Sequence, residues 1–297
     1  MCGIVGLFLK DRSLEPRLGS LLADMLVKMS DRGPDSAGIA IYGEGKEGRS
    51  KITIQSSRPE TDFPDLSKSL EQAGINVSME IKDTHAVFSL PVAEEERFHT
   101  LLRADFAAMR VMSRGQHIEI YKEVGQPRDV AARFDLSGMG GTHGIGHTRM
   151  ATESAVTTMG AHPFSTGADQ CLVHNGSLSN HNSLRRKLRH QGMPFETDND
   201  TEVAASYLSY RMMEGASLGE ALESSLSDLD GFYTFVVGTR DGFGVLRDPI
   251  ACKPAVMAET DRYVAFGSEY RALVNLPDIE MARVWEPEPA TVYFWKH

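Results

Sequence analysis

Residues 3 to 9, GIVGLFL, make an unbroken apolar run closed by Lys10-Asp11, and a run of that length between polar boundaries predicts a buried strand. Leu18, Leu21, Leu22, Met25, Leu26 and Met29 then recur at spacings of three and four, which puts them on one face of a helix and makes its methionines core residues. Pro16 suits the first turn of that helix, and Gly33-Pro34 closes the segment. Ser36 to Tyr42 (SAGIAIY) predicts a second strand, followed by the polar, glycine-rich stretch Gly43 to Arg49.

From there to about Met139 the periodicity is weaker. It predicts a strand at Lys51 to Gln55, a helix near Ala93 to Arg110 and a strand at His117 to Glu123. Glu94-Glu95-Glu96 reads as the first turn of that helix, where carboxylates suit the positive end of the dipole. Tighter alternation follows, with strands expected at Ile145 to Thr148, Cys171 to His174, Phe232 to Gly238, Gly242 to Arg247, Ala255 to Ala258, Tyr263 to Gly267 and Thr291 to Trp295. Helices at about Asp200 to Met213 and Leu218 to Leu229 interrupt them, and this order of strands, helices and strands predicts the α+β class rather than repeated βαβ units.

Composition narrows the function. With 297 residues, 41% hydrophobic and 24% charged, the chain can bury a full core as one large domain or two small ones. A formal charge of -10 argues against a nucleic acid or an anionic membrane as main partner, since phosphates call for clustered Lys and Arg. The densest basic run, Arg185-Arg186-Lys187 with Arg189, is expected on the solvated face of a helix. Only Cys2, Cys171 and Cys252 occur, with no C-x-x-C pair, so neither an iron–sulfur cluster nor a cysteine zinc site is expected in this chain. The sparse cysteines, the lack of a signal-like N terminus and the lack of a run of about 18 apolar residues give the expectation of a cytoplasmic protein. Gly138, Gly140, Gly141, Gly144 and Gly146 are not followed by Gly-Lys-Ser/Thr, which argues against a phosphate loop. His143 and His147 have helical zinc spacing, but the glycines around them oppose a helix, so no metal is expected there.

The chain begins Met1-Cys2, and removal of Met1 would expose a thiol and an α-amine on one residue. An α-amine titrates at ~7.7 to 8.0 and a cysteine thiol at ~8.5, so the amine can act as base for its own thiol near neutral pH. In order along the chain follow Arg32-Gly33-Pro34-Asp35-Ser36-Ala37-Gly38, Gly146-His147-Thr148-Arg149, His162-Pro163-Phe164, His174-Asn175-Gly176 and Asn199-Asp200-Thr201-Glu202. With the terminal Cys, this series resembles the class II glutamine amidotransferases. These are N-terminal-nucleophile hydrolases, among them glucosamine-6-phosphate synthase, amidophosphoribosyltransferase, asparagine synthetase and glutamate synthase. The resemblance spans residues 2 to 43 and about 140 to 297, and extends to Arg247-Asp248-Pro249, Lys253-Pro254 and Ser268-Glu269.

The resemblance implies a four-layer αββα sandwich with two mainly antiparallel sheets, forming one domain over residues 1–297 with an insertion at about 44–143. It implies Cys2 as nucleophile, its freed amine as base and later acid, and the Asn175 side-chain amide with the Gly176 N–H as the oxyanion hole. Arg149 would fork onto the carboxylate of L-glutamine and Asp200 would hold its α-amino group. Thr152 matches a substrate-contacting Thr, although Glu153 departs from the His that follows it in glucosamine-6-phosphate synthase. Arg32, His162 and His174 would support the site. No cofactor or metal is implied in this chain.

The glutaminase half of the family occupies about this much chain, so the acceptor of ammonia is expected on a separate synthase subunit. The arrangement looks most like the stand-alone subunits related to the glutaminase domain of glutamate synthase, including the N-methylglutamate synthase type, whose partners carry flavin and iron–sulfur centres. Two alternatives stand beside this: a non-catalytic subunit that keeps Met1, and another N-terminal-Cys amide hydrolase.

Overall fold

The computed structural model describes residues 2–151 and 155–297. From its start the chain forms β1 (Gly3–Leu9), α1 (Leu18–Val27), β2 (Ser36–Tyr42), β3 (Arg49–Gln55), α2 (Pro59–Gln72), β4 (Ser78–Lys82), β5 (His85–Pro91), α3 (Glu95–Asp105) and β6 (Arg110–Gly115). The middle of the chain holds β7 (Ile118–Val124), α4 (Pro127–Arg133), β8 (His143–Arg149), β9 (Gln170–Leu178), α5 (His181–His190), α6 (Asp200–Met213) and α7 (Leu218–Asp228). The last third adds β10 (Gly231–Thr239), β11 (Gly242–Arg247), β12 (Val256–Glu259), β13 (Tyr263–Gly267), β14 (Arg283–Trp285) and β15 (Val292–Lys296).

Two antiparallel sheets pack face to face. One has the order β14-β12-β13-β1-β8-β2-β7 and the other β15-β11-β10-β9. β1 shows why they stack: its alternate residues Val5, Leu7 and Leu9 join the core under α1, while Ile4 and Phe8 join the core between the sheets with Val173, Val236 and Phe243. α5, α6 and α7 cover the outer face of the second sheet through Leu188, Val203, Leu208, Leu218 and Leu222. Helix, sheet, sheet and helix thus make the four layers of an α+β sandwich.

Within residues 44–143 the chain does two different things. β3, β4, β5 and β6 form a third sheet in the order β4-β5-β3-β6, with its own core of Ile52, Ile54, Phe88, Leu90 and the α2 and α3 residues Phe63, Leu66, Phe98 and Leu102. β7, in contrast, pairs with β2 at the edge of the first sheet, and α4 packs Val130 and Ala131 into the core below α1. Among the described residues no helix is long and apolar enough to cross a membrane.

Candidate active site

Cys2 is positioned by β1, an inner strand of the first sheet. β1 lies between β13 and β8, and Gly3 stands opposite Thr148, one residue from Arg149 at the end of β8. Arg149 in turn stands opposite Ser36, the first residue of β2. Three strands therefore bring Cys2, Arg149 and the Arg32-to-Ser36 segment to one end of the sheet. The fit there is close: a Cβ on Gly3 would lie 2.8 Å from Thr148 Oγ1 and 2.9 Å from Met29 Cβ. Cys2 is half-buried and its thiol is free. Its carbonyl oxygen accepts two side-chain hydrogen bonds, from Arg32 Nε at 3.0 Å and from Asn175 Nδ2 at 3.2 Å.

Asn175 and Gly176 sit within β9, not in the hairpin turn that Asn-Gly can also signal. β9 is the edge strand of its sheet, next to β10, and its other side carries only a single bridge, to Phe164, among the described residues. Gly176 stands opposite Tyr233, whose N–H and C=O both turn to Asp248, at 3.0 Å from Oδ1 and 3.0 Å from the backbone N–H. Residues opposite one another in an antiparallel ladder turn their backbone groups in opposite directions when they are not bonded to each other, so the Gly176 N–H faces the open edge. Along that edge Leu172 exchanges backbone bonds with Phe164, the His174 carbonyl accepts from His147 Nε2 at 3.1 Å, and the Leu178 N–H donates to Asp200 Oδ2 at 3.0 Å. Between these occupied positions the Gly176 N–H faces the edge, next in the chain to Asn175, whose amide reaches the Cys2 carbonyl beside Arg32. Gly176 has φ +150°, and a Cβ there would lie 1.9 Å from the Phe232 carbonyl oxygen, so only glycine fits.

Asp200 is the first residue of α6, whose cap is Asn199: its Oδ1 accepts from the Thr201 N–H at 2.8 Å. Two neighbours hold this turn in place. Glu202 accepts from the N–H groups of Glu196 and Thr197 at 2.7 and 2.8 Å. Arg185 donates to the Asn199 carbonyl at 3.1 Å. Arg185 was expected on a solvated face, and the structure corrects this: it is buried, with its guanidinium over the Phe195 ring, because α5 packs on α6 through this side chain. Arg149 is also buried and donates to the Ala155 carbonyl at 3.3 Å, with room for its guanidinium left by Gly160.

Between these two charges lies a cluster of imidazoles. Thr201 Oγ1 is 2.6 Å from His162 Nε2 and 3.1 Å from His174 Nδ1, and the His147 and His162 rings stack at 4.0 Å. Burial dominates their titration, pushing His147 down to about 3, His162 well below the usual histidine range and His174 down as well. The positive charge of Arg149 adds to the effect on His147 and His162, whereas Asp200 acts on His174 in the opposite sense. A positive group thus stands on one side of the neutral cluster and a negative group on the other.

Burial likewise lowers His85 and His143 to about 3. Above pH ~6.5 these rings are neutral whether the chain is folded or not. As the pH falls from there toward 3, only the unfolded chain takes up the protons, so stability is lost, by about 1.4 kcal/mol per ring per pH unit within the window. The denaturation midpoint at pH 5 is therefore expected well below that at pH 7.5, and equal midpoints would show that these rings are protonated in the folded state.

Cys2, Arg32, Arg149, His162, His174, Asn175, Gly176 and Asp200 thus fall around one end of the sandwich, whereas Thr152 and Glu153 lie outside the described residues. Sequence reasoning missed Arg185, and it named Thr201, Glu202, Ser268 and Glu269 within motifs without giving them a task. Their signal was adjacency to Asp200 and to the end of β13. His143 and His147 lie on β8, and among the described residues no three His, Cys, Asp or Glu side chains are grouped to hold a metal. A separate cavity of about 710 Å³ opens between the third sheet and the sandwich, lined by Met109, Met112, Lys122, Phe164, Met193 and Thr197 among others. None of the residues around Cys2 lines it.

The two facing sheets, with the chain's first strand in the centre of one of them, define the N-terminal-nucleophile amidotransferase fold. Two solved structures share it at 20% identity. One is the glutamine phosphoribosylpyrophosphate amidotransferase from B. subtilis, with a TM-score of 0.63, and the other is described as the allosteric regulatory enzyme of purine biosynthesis, with a TM-score of 0.65. Each match covers 99% of this chain and 47% of the other. The glutamine amidotransferase domain family matches residues 147–275. The glutamine amidotransferase-like protein GlxB of Rhizobium meliloti is 68% identical over 100% of this chain and 99% of its own length. A putative glutamine amidotransferase of Methanothermobacter thermautotrophicus is 34% identical over 99% of both. The chain belongs to the class II glutamine amidotransferase family.

Proposed function

We propose that this protein is the glutamine-hydrolysing subunit of a multi-chain synthase. After removal of Met1, the Cys2 amine takes the thiol proton and the sulfur attacks the carboxamide carbon of L-glutamine. The tetrahedral oxyanion is held by the Asn175 amide and the Gly176 N–H. The amine then passes its proton to the departing nitrogen, leaving a thioester and ammonia, and water releases glutamate. Arg149 and Asp200 receive the carboxylate and ammonium of the substrate. The observation that carries this reading is the meeting of Asn175 with Cys2 at 3.2 Å, next to a Gly176 N–H that the sheet leaves open.

The acceptor of ammonia is on a partner subunit of glutamate synthase or N-methylglutamate synthase type, with flavin and iron–sulfur centres in the partners. Relatives of the same length as this chain support a stand-alone subunit. The test is intact mass of the natural protein together with labelling by an electrophilic glutamine analogue. The expected result is loss of Met1 and one label on Cys2. Active enzyme that retains Met1, or a label elsewhere, overturns the mechanism. In a native pull-down, the co-purifying chains are expected to carry flavin and iron–sulfur centres.

Arg149 offers a sharper check of substrate recognition. A planar guanidinium binds a carboxylate through two parallel hydrogen bonds, which a lysine ammonium cannot reproduce. Arg149→Lys is therefore expected to raise the KM for glutamine about tenfold or more, the loss of one charge-assisted hydrogen bond. An unchanged KM would take Arg149 out of the pocket.

A further inference from the structure

Ser268 and Glu269, just past β13, reach the start of the chain from two directions. Ser268 Oγ accepts the Ile4 N–H at 2.9 Å, and the Ser268 N–H donates to the Ile4 carbonyl at 2.9 Å. Glu269 instead holds Arg32: Oε1 lies 2.6 Å from Arg32 Nη1, while Oε2 lies 2.7 Å from Arg271 Nε. Arg271 Nη1 reaches Asp31 Oδ2 at 3.1 Å. Four alternating charges, Asp31, Arg271, Glu269 and Arg32, therefore run in from the surface and end on the Cys2 carbonyl. Arg32 is buried and its Nη2 has no hydrogen-bond partner among the described residues. The guanidinium is thus oriented by two contacts, Cys2 on one side and Glu269 on the other.

We propose that Glu269 is a positioning residue for Cys2: acting through Arg32 it fixes the nucleophile's carbonyl, and it offsets a guanidinium charge that the N-terminal amine would otherwise meet alone. This rests on the amidotransferase reading above. In any residue the amine lies about 3 Å from its own carbonyl oxygen, which puts Arg32 Nε within about 6 Å of the base. A cation at that range favours the neutral amine and weakens it as a base. The Arg32 and Arg271 guanidinium groups hold the Glu269 carboxyl below its usual range, so its negative charge is present at neutral pH. Other charged and titratable groups that face this end of the sheet are Asp35 before β2, Arg149 on β8, His174 on β9, Asp200 on α6 and Lys253 after β11. Among the described residues none of these bonds Arg32, as Glu269 does.

The test compares Glu269→Ala, Glu269→Gln, Glu269→Asp and Arg271→Ala in full-length enzyme shown by mass to have lost Met1. Glutamine hydrolysis is followed against pH, and iodoacetamide alkylation of Cys2 is followed by peptide mass with exposed Cys252 as internal control. Glu269→Ala is expected to lower kcat about 10- to 100-fold with KM nearly unchanged, the scale of a misplaced reacting group. Both Glu269→Ala and Glu269→Gln should move the acid limb of kcat/KM down by about half a pH unit or more. Glu269→Asp should restore most of the rate.

Arg271→Ala leaves the Glu269 charge undivided on Arg32 and should move the limb the other way, to higher pH. It also carries the test if a Glu269 variant fails to fold, as its side chain is partly exposed. Unchanged limbs in Glu269→Gln and Arg271→Ala overturn the electrostatic role, and an unchanged kcat in Glu269→Ala overturns the positioning role. Hydrolysis retained by Cys2→Ala would instead remove the reading on which the proposal rests.

Discussion

In Cys2→Ala, ammonia release from glutamine is expected to fall by on the order of 10⁶-fold, the scale of losing the nucleophile of a hydrolase, while the fold survives. The two expectations have separate causes. The chemistry needs the sulfur, which alanine lacks. The contacts that fix this position use the Cys2 carbonyl, reached by Arg32 and Asn175, and the Ile4 backbone, reached by Ser268, all of which alanine keeps. A half-buried side chain that leaves these bonds intact should change stability by no more than about 0.5 kcal/mol. Ammonia release and the denaturation midpoint, measured on the same preparation, separate the two. Hydrolysis at the wild-type rate would end the case for Cys2 as nucleophile.

Asn175→Ala is expected to lower kcat by about 10²- to 10³-fold with little change in KM, because an oxyanion donor acts on charge that develops only in the transition state. Its amide also steadies the Cys2 carbonyl, but Arg32 still occupies that oxygen, so the cost to stability should stay near ~1 kcal/mol. Steady-state kinetics decides between the two roles: a loss carried by KM would make Asn175 a ground-state contact and leave the oxyanion to other donors.

Much of the sandwich was legible along the chain. β1, α1, β2 and the two helices α6 and α7 were placed within a few residues, since each carries a clean apolar period and polar punctuation. Of the third sheet only β3 and the covering helix α3 were legible, whereas β4, β5, β6 and α2 were not. Phe63, Leu66 and Leu70 do recur on a helical face, but Pro59, Pro64 and five acidic or basic residues within α2 obscure it, and β4 is an exposed, polar edge strand. β7 was legible as a strand and β6 was not, and that one joins the main sheet and the other the accessory sheet is a choice made by pairing partners far away.

The same division runs through the candidate site. Residue type and order already specified a thiol beside a terminal amine, an amide followed by glycine, an arginine and an aspartate, because these are properties of single residues and their neighbours. What folding added is orientation. The register of β10 against β9 turns the Gly176 N–H to an open edge, the packing of α5 on α6 buries Arg185 against Asn199, and Glu269 meets Arg32 across 237 positions of chain. No local pattern encodes such meetings, since they arise when strands distant in sequence pair in a sheet and present one end to the same small volume.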